Sequence, residues 1–376
     1  MSAFLKACFI GMVLLLVAPA AMSAAGDKPA FPTAHKKSAT HKLKYDDLDL
    51  FLKQTVLLTG RSDHKVARKP AAITGTRVAY DNTKPSRLEG NRVLFHQQTE
   101  ELARVSGALR DTMLDIASKV NFAKLSKDEQ LAFWLNLHNI IVYHELAARY
   151  PVTDLEPLVA SCSDQTSIYC NQSYNLAGQM VSLNDIRDHI VANWDDPLVI
   201  YGFYLGAVGT PNVRGGAFDA SNVWQALHEN AVDFIHSVRG SRKKSGKSLS
   251  VSEYYQFFPK FFPRFEADIL AHIREFAEDD YLQRLGKIKK VKANLNDWNI
   301  ADLYNGHLKD PTGAGNVVRN DPRSRKRNDA VPLHARRLLA DIQRRNKTRD
   351  EKMAASGSVK TNGGSTTKES RDISGR

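Results

Sequence analysis

The chain has 376 residues, of which 42% are hydrophobic, and a formal net charge of +12. That size and apolar content suffice for one large domain or two small ones. The charge is uneven, because residues 321–376 hold 15 Lys/Arg against 7 Asp/Glu. A nearly neutral body with basic extensions argues against a nucleic-acid-binding domain.

The first 25 residues have the pattern of a secretory signal peptide. Lys6 precedes the apolar run Phe9–Val17, and small residues follow, so cleavage is expected between Ala20 and Ala25. The apolar run is short for a membrane span, and an uncleaved anchor is the alternative. We therefore predict a periplasmic or secreted protein in which residues 26–44 form a flexible basic lead.

Two cysteines, Cys162 and Cys170, remain once the signal peptide and its Cys8 are removed. In an oxidising compartment this even count predicts a disulfide. Such a bridge would contribute about 2–3 kcal/mol by loop-entropy arithmetic. No histidine lies between the two cysteines, which disfavours a zinc site. A catalytic thiol is disfavoured because each cysteine has an obvious partner.

Residues 45–310 are predicted to form a single globular domain. A helix is predicted over Tyr45–Thr59, and a loop follows over Gly60–Leu88 with a weak strand at Arg77–Tyr80. The next apolar pattern, over Glu89–Val120, predicts a helix with a possible interruption near Gly107.

The segment Gln130–Pro151 is predicted to be the central helix. Ser126 and Glu129 form a capping-box pattern before it, and Pro151 ends it. Within its apolar surface, Asn136, Asn139 and Tyr143 share one face. Buried asparagines need hydrogen-bond partners, so these two either tie down loop backbone or line a binding site.

The second half of the domain alternates short strands and helices. Gly178 predicts the turn of a hairpin over Tyr174–Val181, and a short helix should follow Ser182. The apolar run Leu198–Leu205 predicts a central strand covered on both faces, followed by the loop Gly206–Gly216.

The remaining segments complete the domain and its extension. The predictions are a helix over Asp219–Val238, a basic turn over Arg239–Lys247, a strand at Leu249–Val251, an aromatic core segment over Glu253–Phe265, a helix over Ala267–Leu285, and a disordered basic tail over residues 311–376 with one helical patch at Leu333–Ile342.

Three segments together resemble a known family. They are AFWLNLHNIIVYH at Ala132–His144, VSLNDI at Val181–Ile186, and DPLVIYGFYLGAVGTPNVR at Asp196–Arg214. The set is similar to the domain of unknown function family numbered 547, over roughly residues 128–285. The resemblance implies an α+β fold, a mostly helical domain around a small β-sheet.

The family pattern also implies an inventory suited to thiol hydrolases of the papain-like or transglutaminase-like sort. Trp134, Asn136 and Asn139 match that pattern. The Glu-His pair expected after Ile186 is replaced by Arg187 and Asp188, with His189 one position late. The position of the family's strand histidine holds Ile200, and the cysteine positions hold Leu205 and Thr210. A thiolate and its activating base are therefore both missing.

These observations lead to a candidate cleft and two functional hypotheses. The candidate residues are Trp134, Asn136, Asn139, Tyr143, His144, Asp185, His189 and Thr210. The favoured hypothesis is an exported, non-catalytic domain that binds an unknown ligand or protein partner, without metal or cofactor. The alternative is an envelope hydrolase or transferase with a rearranged site that uses His144 or His189 with a carboxylate. The basic tail either contacts anionic envelope surfaces weakly or only adds solubility.

Overall fold

The computed structural model describes residues 31–32, 41–69, 83–96, 99–159, 162, 167–243, 246–307 and 333–361. Its helices are Asp46–Thr55 (α1), Thr99–Lys119 (α2), Lys127–Arg149 (α3), Glu156–Val159 (α4), Leu183–Asn193 (α5), Val223–Ile235 (α6), Phe265–Phe276 (α7), Asp279–Leu285 (α8) and Leu333–Thr361 (α9). Its strands are Val56–Leu57 (β1), Arg92–Val93 (β2), Tyr174–Leu176 (β3), Gln179–Val181 (β4), Ser241–Lys243 (β5), Ser248–Ser252 (β6) and Lys290–Leu295 (β7). Short 3₁₀ helices occupy Phe122–Lys124, Pro197–Gly202 and Glu253–Phe257. The predicted α+β class, mostly helical with small sheets, is confirmed.

Helix α3 forms the centre of the hydrophobic core, as predicted. It packs against α2, α5 and α6, and most of its side chains between Leu131 and Tyr143 are buried. The Ser126 hydroxyl caps the helix by accepting a hydrogen bond from the Glu129 backbone N–H at 3.0 Å. The Glu129 carboxylate instead accepts from the backbone N–H of Leu43 at 3.0 Å. One half of the predicted capping box therefore holds the chain that leads into α1.

The helix predicted over Glu89–Val120 begins ten residues later, at Thr99. Residues Arg92–Val93 are extended because they pair with β1, with Val93 opposite Val56. Gly107 does not interrupt α2. It makes room for a neighbouring ring, since a Cβ there would lie 3.0 Å from Cε1 of His144. Packing between α2 and α3 therefore explains this glycine.

The hairpin and the short helix after it form as predicted. Strands β3 and β4 pair antiparallel, and Ala177 and Gly178 turn the chain with φ values of 50° and 92°. The positive φ at both turn positions is the geometry that tight hairpins favour. Ser182 and Asp185 then form a complete capping box at the start of α5.

The strand predicted at Leu198–Leu205 is wrong. Pro197–Gly202 is a 3₁₀ helix, and the Asp196 carboxylate caps it by accepting from the backbone N–H of Leu198 at 2.8 Å. A proline in the first turn already has helical φ, and capping satisfies the free N–H group. The segment is buried as expected, but its length and hydrophobicity alone do not distinguish a strand from a buried helical turn.

The C-terminal part of the body contains a three-stranded sheet. Strand β6 pairs antiparallel with β5 and parallel with β7, an element that the sequence did not predict. The aromatic segment is core, as predicted, with Tyr254, Tyr255, Phe258 and Phe262 all buried. The helix predicted over Ala267–Leu285 is divided into α7 and α8 by an extended residue at Ala277.

The predicted helical patch at Leu333–Ile342 is the start of a longer helix, α9, which reaches Thr361 in a region where disorder was predicted. Ala335, Leu338 and Ile342 form a small cluster with Leu303, separate from the main core. Residues 1–30, the weak strand at 77–80 and the connection 308–332 lie outside the described residues. None of the described helices is long and apolar enough to cross a membrane.

Candidate functional site

The two asparagines of α3 bind backbone groups of the segments that cross the helix. The Asn136 amide donates to the carbonyl of Phe218 at 2.8 Å and accepts from the N–H of the same residue at 3.0 Å. Asn139 donates to the carbonyl of Gly202 at 2.8 Å and accepts from the N–H of Tyr204 at 3.0 Å. The sequence left open whether these asparagines tie down loop backbone or line a binding site, and these contacts match the first of the two.

A narrow crevice lies beside these asparagines, between α1, α3 and the loop before α6. Its walls include Leu48, Asn136, Asn139, Tyr143 and Arg214. The space inside it that the centre of a water molecule can reach is only about 20 Å³. That volume holds about one ordered water, so the crevice has no room for a larger ligand in this conformation.

His189 is enclosed by aromatic rings. Its imidazole stacks on Phe31 with centroids 4.5 Å apart and meets the edge of Trp134 at 5.0 Å. Its Nδ1 lies 3.2 Å from the amide nitrogen of Asn193. Burial lowers the pKa of His189 to about 4. A nearby carboxylate would raise the pKa. His189 is therefore a neutral, buried imidazole that is not paired with a described carboxylate.

Phe31 lies in the predicted flexible lead, yet it contacts the core. Besides His189, its ring packs edge-on against Trp134 with a centroid distance of 5.4 Å. Trp134 is fully buried, and it also stacks on Phe122 at 5.1 Å. Trp134 is therefore part of the aromatic core, and Phe31 covers one face of the His189 ring.

His144 packs against α2, whereas Tyr143 lines the crevice and also contacts Phe51. Nδ1 of His144 lies 3.0 Å from the carbonyl oxygen of Ala103 and 3.3 Å from the hydroxyl of Ser106, both on α2. Burial lowers the pKa of His144, and the positive charge of Arg110 lowers it further. Tyr143 is buried against Phe51, and burial raises the pKa of its hydroxyl. These side chains join α3 to its neighbours.

Asp185 and Thr210 have local structural roles. The Asp185 carboxylate accepts from the backbone N–H and the hydroxyl of Ser182 at 2.8 and 2.7 Å, completing the cap of α5. The Thr210 hydroxyl donates to the carbonyl of Ala207 at 2.9 Å within a turn, and the residue is buried. Both side chains therefore satisfy backbone groups next to them in the chain.

Cys162 and Cys170 form the predicted disulfide. They join the start of the segment after α4 to the residues before β3, and the Asn184 side chain lies 3.4 Å from the sulfur of Cys170. Among the described residues, no group of three or more His, Cys, Asp or Glu side chains is arranged to hold a metal ion.

The family comparison covers the segment that contains all of these residues. A family model described as "Protein of unknown function, DUF547" matches residues 122–235. This segment is a DUF547 domain. It runs from the 3₁₀ turn before α3 to the last residue of α6. The aromatic segment and α7, which the sequence resemblance had included, follow the end of the match. No curated protein and no solved structure gave a match.

At two positions where the family pattern implies ionisable side chains, Ile200 and Leu205, this chain has apolar ones. Ile200 is fully buried, and Leu205 is 3% exposed. Gly206, directly after Leu205, has a φ of 84°, and a Cβ there would lie 2.2 Å from a methyl group of Leu146. The space beside Leu205, where the family pattern implies a cysteine, is therefore filled by core side chains.

Sequence reasoning missed a buried network of charged groups outside the candidate cleft. Glu89 accepts hydrogen bonds from the backbone N–H of Val238 on both oxygens, at 3.1 and 3.0 Å. Burial raises the pKa of Glu89 to about 7, although the charge of Arg239 opposes this. Arg239 pairs with Asp233 at 3.0 Å and donates to the carbonyls of Val208 and Thr210. The network therefore holds the loop after Gly206 through the backbone of Val208 and Thr210.

Sequence patterns contained a clue to this network. The polar run Glu89-Gly90-Asn91-Arg92 fits poorly in the buried face of an amphipathic helix, which was the structure assigned to it. Asn91 donates to the carbonyl of Val213 at 2.8 Å, and Arg92 donates to that of Gly90 at 3.0 Å. The partners of Glu89 and Asn91, Val238 and Val213, lie more than 120 residues later in the chain, so a local pattern does not identify them.

Proposed function

We propose that this protein is an exported binding module that uses its DUF547 domain as a scaffold and catalyses no reaction. One observation carries the proposal. The hydroxyl of Thr210, the imidazoles of His144 and His189, and the two cysteine sulfurs all make contacts that hold the fold. The Thr210 hydroxyl bonds a turn carbonyl, and His144 bonds α2. His189 is enclosed by aromatic rings, and the disulfide takes both cysteines.

The chemistry of acyl transfer supports this reading. A serine, threonine or cysteine nucleophile needs a base within hydrogen-bond reach, and that base needs a third group to orient it. The Thr210 hydroxyl donates to a carbonyl and the ring of His189 lies next to Asn193, so neither contacts the other. The alternative, a hydrolase or transferase with a rearranged site, would require both residues to leave their present partners.

Export is supported by two independent features. Residues 1–25 have the charge and hydrophobic pattern of a signal peptide. The disulfide joins the only two cysteines that remain after cleavage, and such bonds persist in oxidising compartments. A thiol mechanism would therefore have no free cysteine in the exported chain.

The experiment is a turnover and labelling assay on the mature protein purified from the native compartment. Peptide, amide and ester substrates would be tested with the wild type and with Thr210→Val and His189→Gln. We expect equal background rates for all three proteins and no labelling by iodoacetamide without reduction. Turnover that is lost in either variant, with circular dichroism unchanged, would overturn the non-catalytic assignment.

The export part has its own readout. Mass spectrometry of the mature protein should give an N-terminus between Ala21 and Gly26 and a mass two hydrogens below that of the reduced chain. A chain that retains Met1, or that carries free Cys162 and Cys170, would contradict export while leaving the question of catalysis open to the first assay.

A further inference from the structure

A basic groove lies between α9 and the segment Lys65–Lys69, on a face separate from the DUF547 candidate cleft. Fourteen of the residues that the structure describes line it, and eight of these are lysine or arginine while one, Asp341, is acidic. The groove has a volume of about 710 Å³. It is therefore much larger than the crevice beside Asn136 and Asn139.

Some of these cations build the walls of the groove. Arg87 pairs with Asp341 at 2.6 Å, which ties α9 to the segment before β2. Arg345 donates to the carbonyls of Leu88 and Arg61, both at 2.8 Å. These contacts fix the position of α9 and hold like charges close together, an arrangement that costs free energy unless anions compensate it.

Other cations in the groove have no protein anion. Arg68, Lys69 and Lys352 are exposed and make no ion pair with any residue that the structure describes. Nη1 of Arg337 is buried, and it too lacks a hydrogen-bond partner within the described residues. Arg337 as a whole is half-buried, and a guanidinium nitrogen that is buried without a partner is costly, so an anion bound beside it would stabilise the site.

The shape of the groove favours a thread-like ligand. The lining residues of α9 run from Arg337 to Lys352, a rise of about 22 Å at 1.5 Å per residue. The surface is concave, whereas a bilayer presents a flat face to a protein. A linear polymer can lie along the groove and contact successive cations.

The chemistry of the lining narrows the class of polymer. None of the fourteen lining residues is aromatic, so single-stranded nucleic acid would find no stacking platform. Apolar side chains are few and small apart from Leu88 and Val66, which gives a protein partner few anchors. Arginine forks match planar carboxylates and phosphates.

We propose that this groove binds a linear anionic polysaccharide, the carboxylate-bearing kind found outside cells. This inference rests on the proposed function, because it names the partner class of an exported binding module. The ligand lies along α9, and its acidic groups pair with Arg337, Arg344 and Lys352 on one side and with Arg68 and Lys69 on the other.

The experiment measures binding of fluorescent oligogalacturonate by the mature wild-type protein and two charge-reversal variants. Arg344→Glu with Lys352→Glu changes two lining residues. The matched control, Arg336→Glu with Lys347→Glu, makes the same charge change on a face of α9 outside the groove. We expect the first pair to weaken binding roughly tenfold or more and the control to change it less than about threefold.

The outcomes separate the proposals. Equal losses in both variants would mean diffuse charge attraction and would overturn the groove site. Tighter binding of single-stranded DNA, polyglutamate or anionic vesicles than of oligogalacturonate would overturn the polysaccharide assignment. Absence of oligogalacturonate binding would end the groove proposal and leave the non-catalytic assignment standing. Turnover by a protein that binds oligogalacturonate would overturn the non-catalytic assignment and leave the groove site standing.

Discussion

Individual residues show why polar groups inside an apolar helix are an ambiguous sign of function. Asn136 and Asn139 were correctly singled out, because an asparagine in a buried helix must have a partner. Their partners are backbone groups of Phe218, Gly202 and Tyr204, 63 to 82 residues away. Helical spacing predicts that the two asparagines lie on the same face of α3. It does not identify the groups that lie opposite that face.

We predict that Asn136→Ala and Asn139→Ala each lower the free energy of unfolding by about 2–4 kcal/mol. Each change leaves one backbone N–H and one carbonyl without a partner, at roughly 1–3 kcal/mol per group. Urea unfolding followed by circular dichroism would measure the loss. Asn294→Ala, at an exposed position in β7, is the control and should stay within about 0.5 kcal/mol of wild type. Unchanged stability in the α3 variants would mean that these amides do not serve the fold.

At the scale of elements, segments with local start and stop signals were predicted well. Helix α3, helix α5 and the β3–β4 hairpin have caps, a proline or a turn glycine in their own sequences. The run Leu198–Leu205 has no such signal for a strand, and the cap at Asp196 with Pro197 starts a 3₁₀ helix instead. Strand β7 was missed because its pairing partner, β6, lies about 40 residues earlier.

Helix α9 depends on a small contact of its own. Leu338 is 5% exposed in a cluster that is separate from the main core. We predict that Leu338→Asp releases α9, because a buried carboxylate there would have no cationic partner among the cluster's apolar side chains. Limited trypsin digestion should cleave α9 roughly tenfold faster while the helices and strands between α1 and β7 remain protected.

Gln343→Asp is the matched control for this variant, since Gln343 is exposed on the same helix. It should be digested at the wild-type rate. Cleavage throughout the body in the Leu338 variant would show instead that α9 and the core unfold as one unit. The same variant would also remove one wall of the basic groove.

At the scale of the whole molecule, buried histidines make stability depend on pH. Burial lowers the pKa to about 3 for His64 and His138 and to about 4 for His189 and His272. The unfolded imidazoles bind protons below about pH 6.5, whereas the folded ones stay neutral. Their stabilising contribution is therefore complete above pH 6.5 and lost as the pH falls toward 3.

We predict a free energy of unfolding that falls from pH 7 to pH 4.5, by about 1.4 kcal/mol per pH unit for each such histidine. Glu89 acts in the opposite sense, because its pKa is raised to about 7 and its contribution is lost as the pH rises through that value. Urea unfolding across this range would measure the slope. His272→Gln should reduce it. A flat profile would contradict the histidine contribution.

The N-terminal and C-terminal parts of the body close on each other. Strand β2 bonds to residues near 302, with the Val93 N–H donating to the Ala301 carbonyl at 2.9 Å, and α9 bonds to Thr59 and Leu88. Contacts between distant parts of a chain slow folding, because a long loop must close first. During synthesis from the N-terminus, more than 200 further residues must follow Val93 before its partner, Ala301, is made. The contacts that close the body can therefore form only after residue 301 has been made, so the nascent chain lacks them for most of its synthesis.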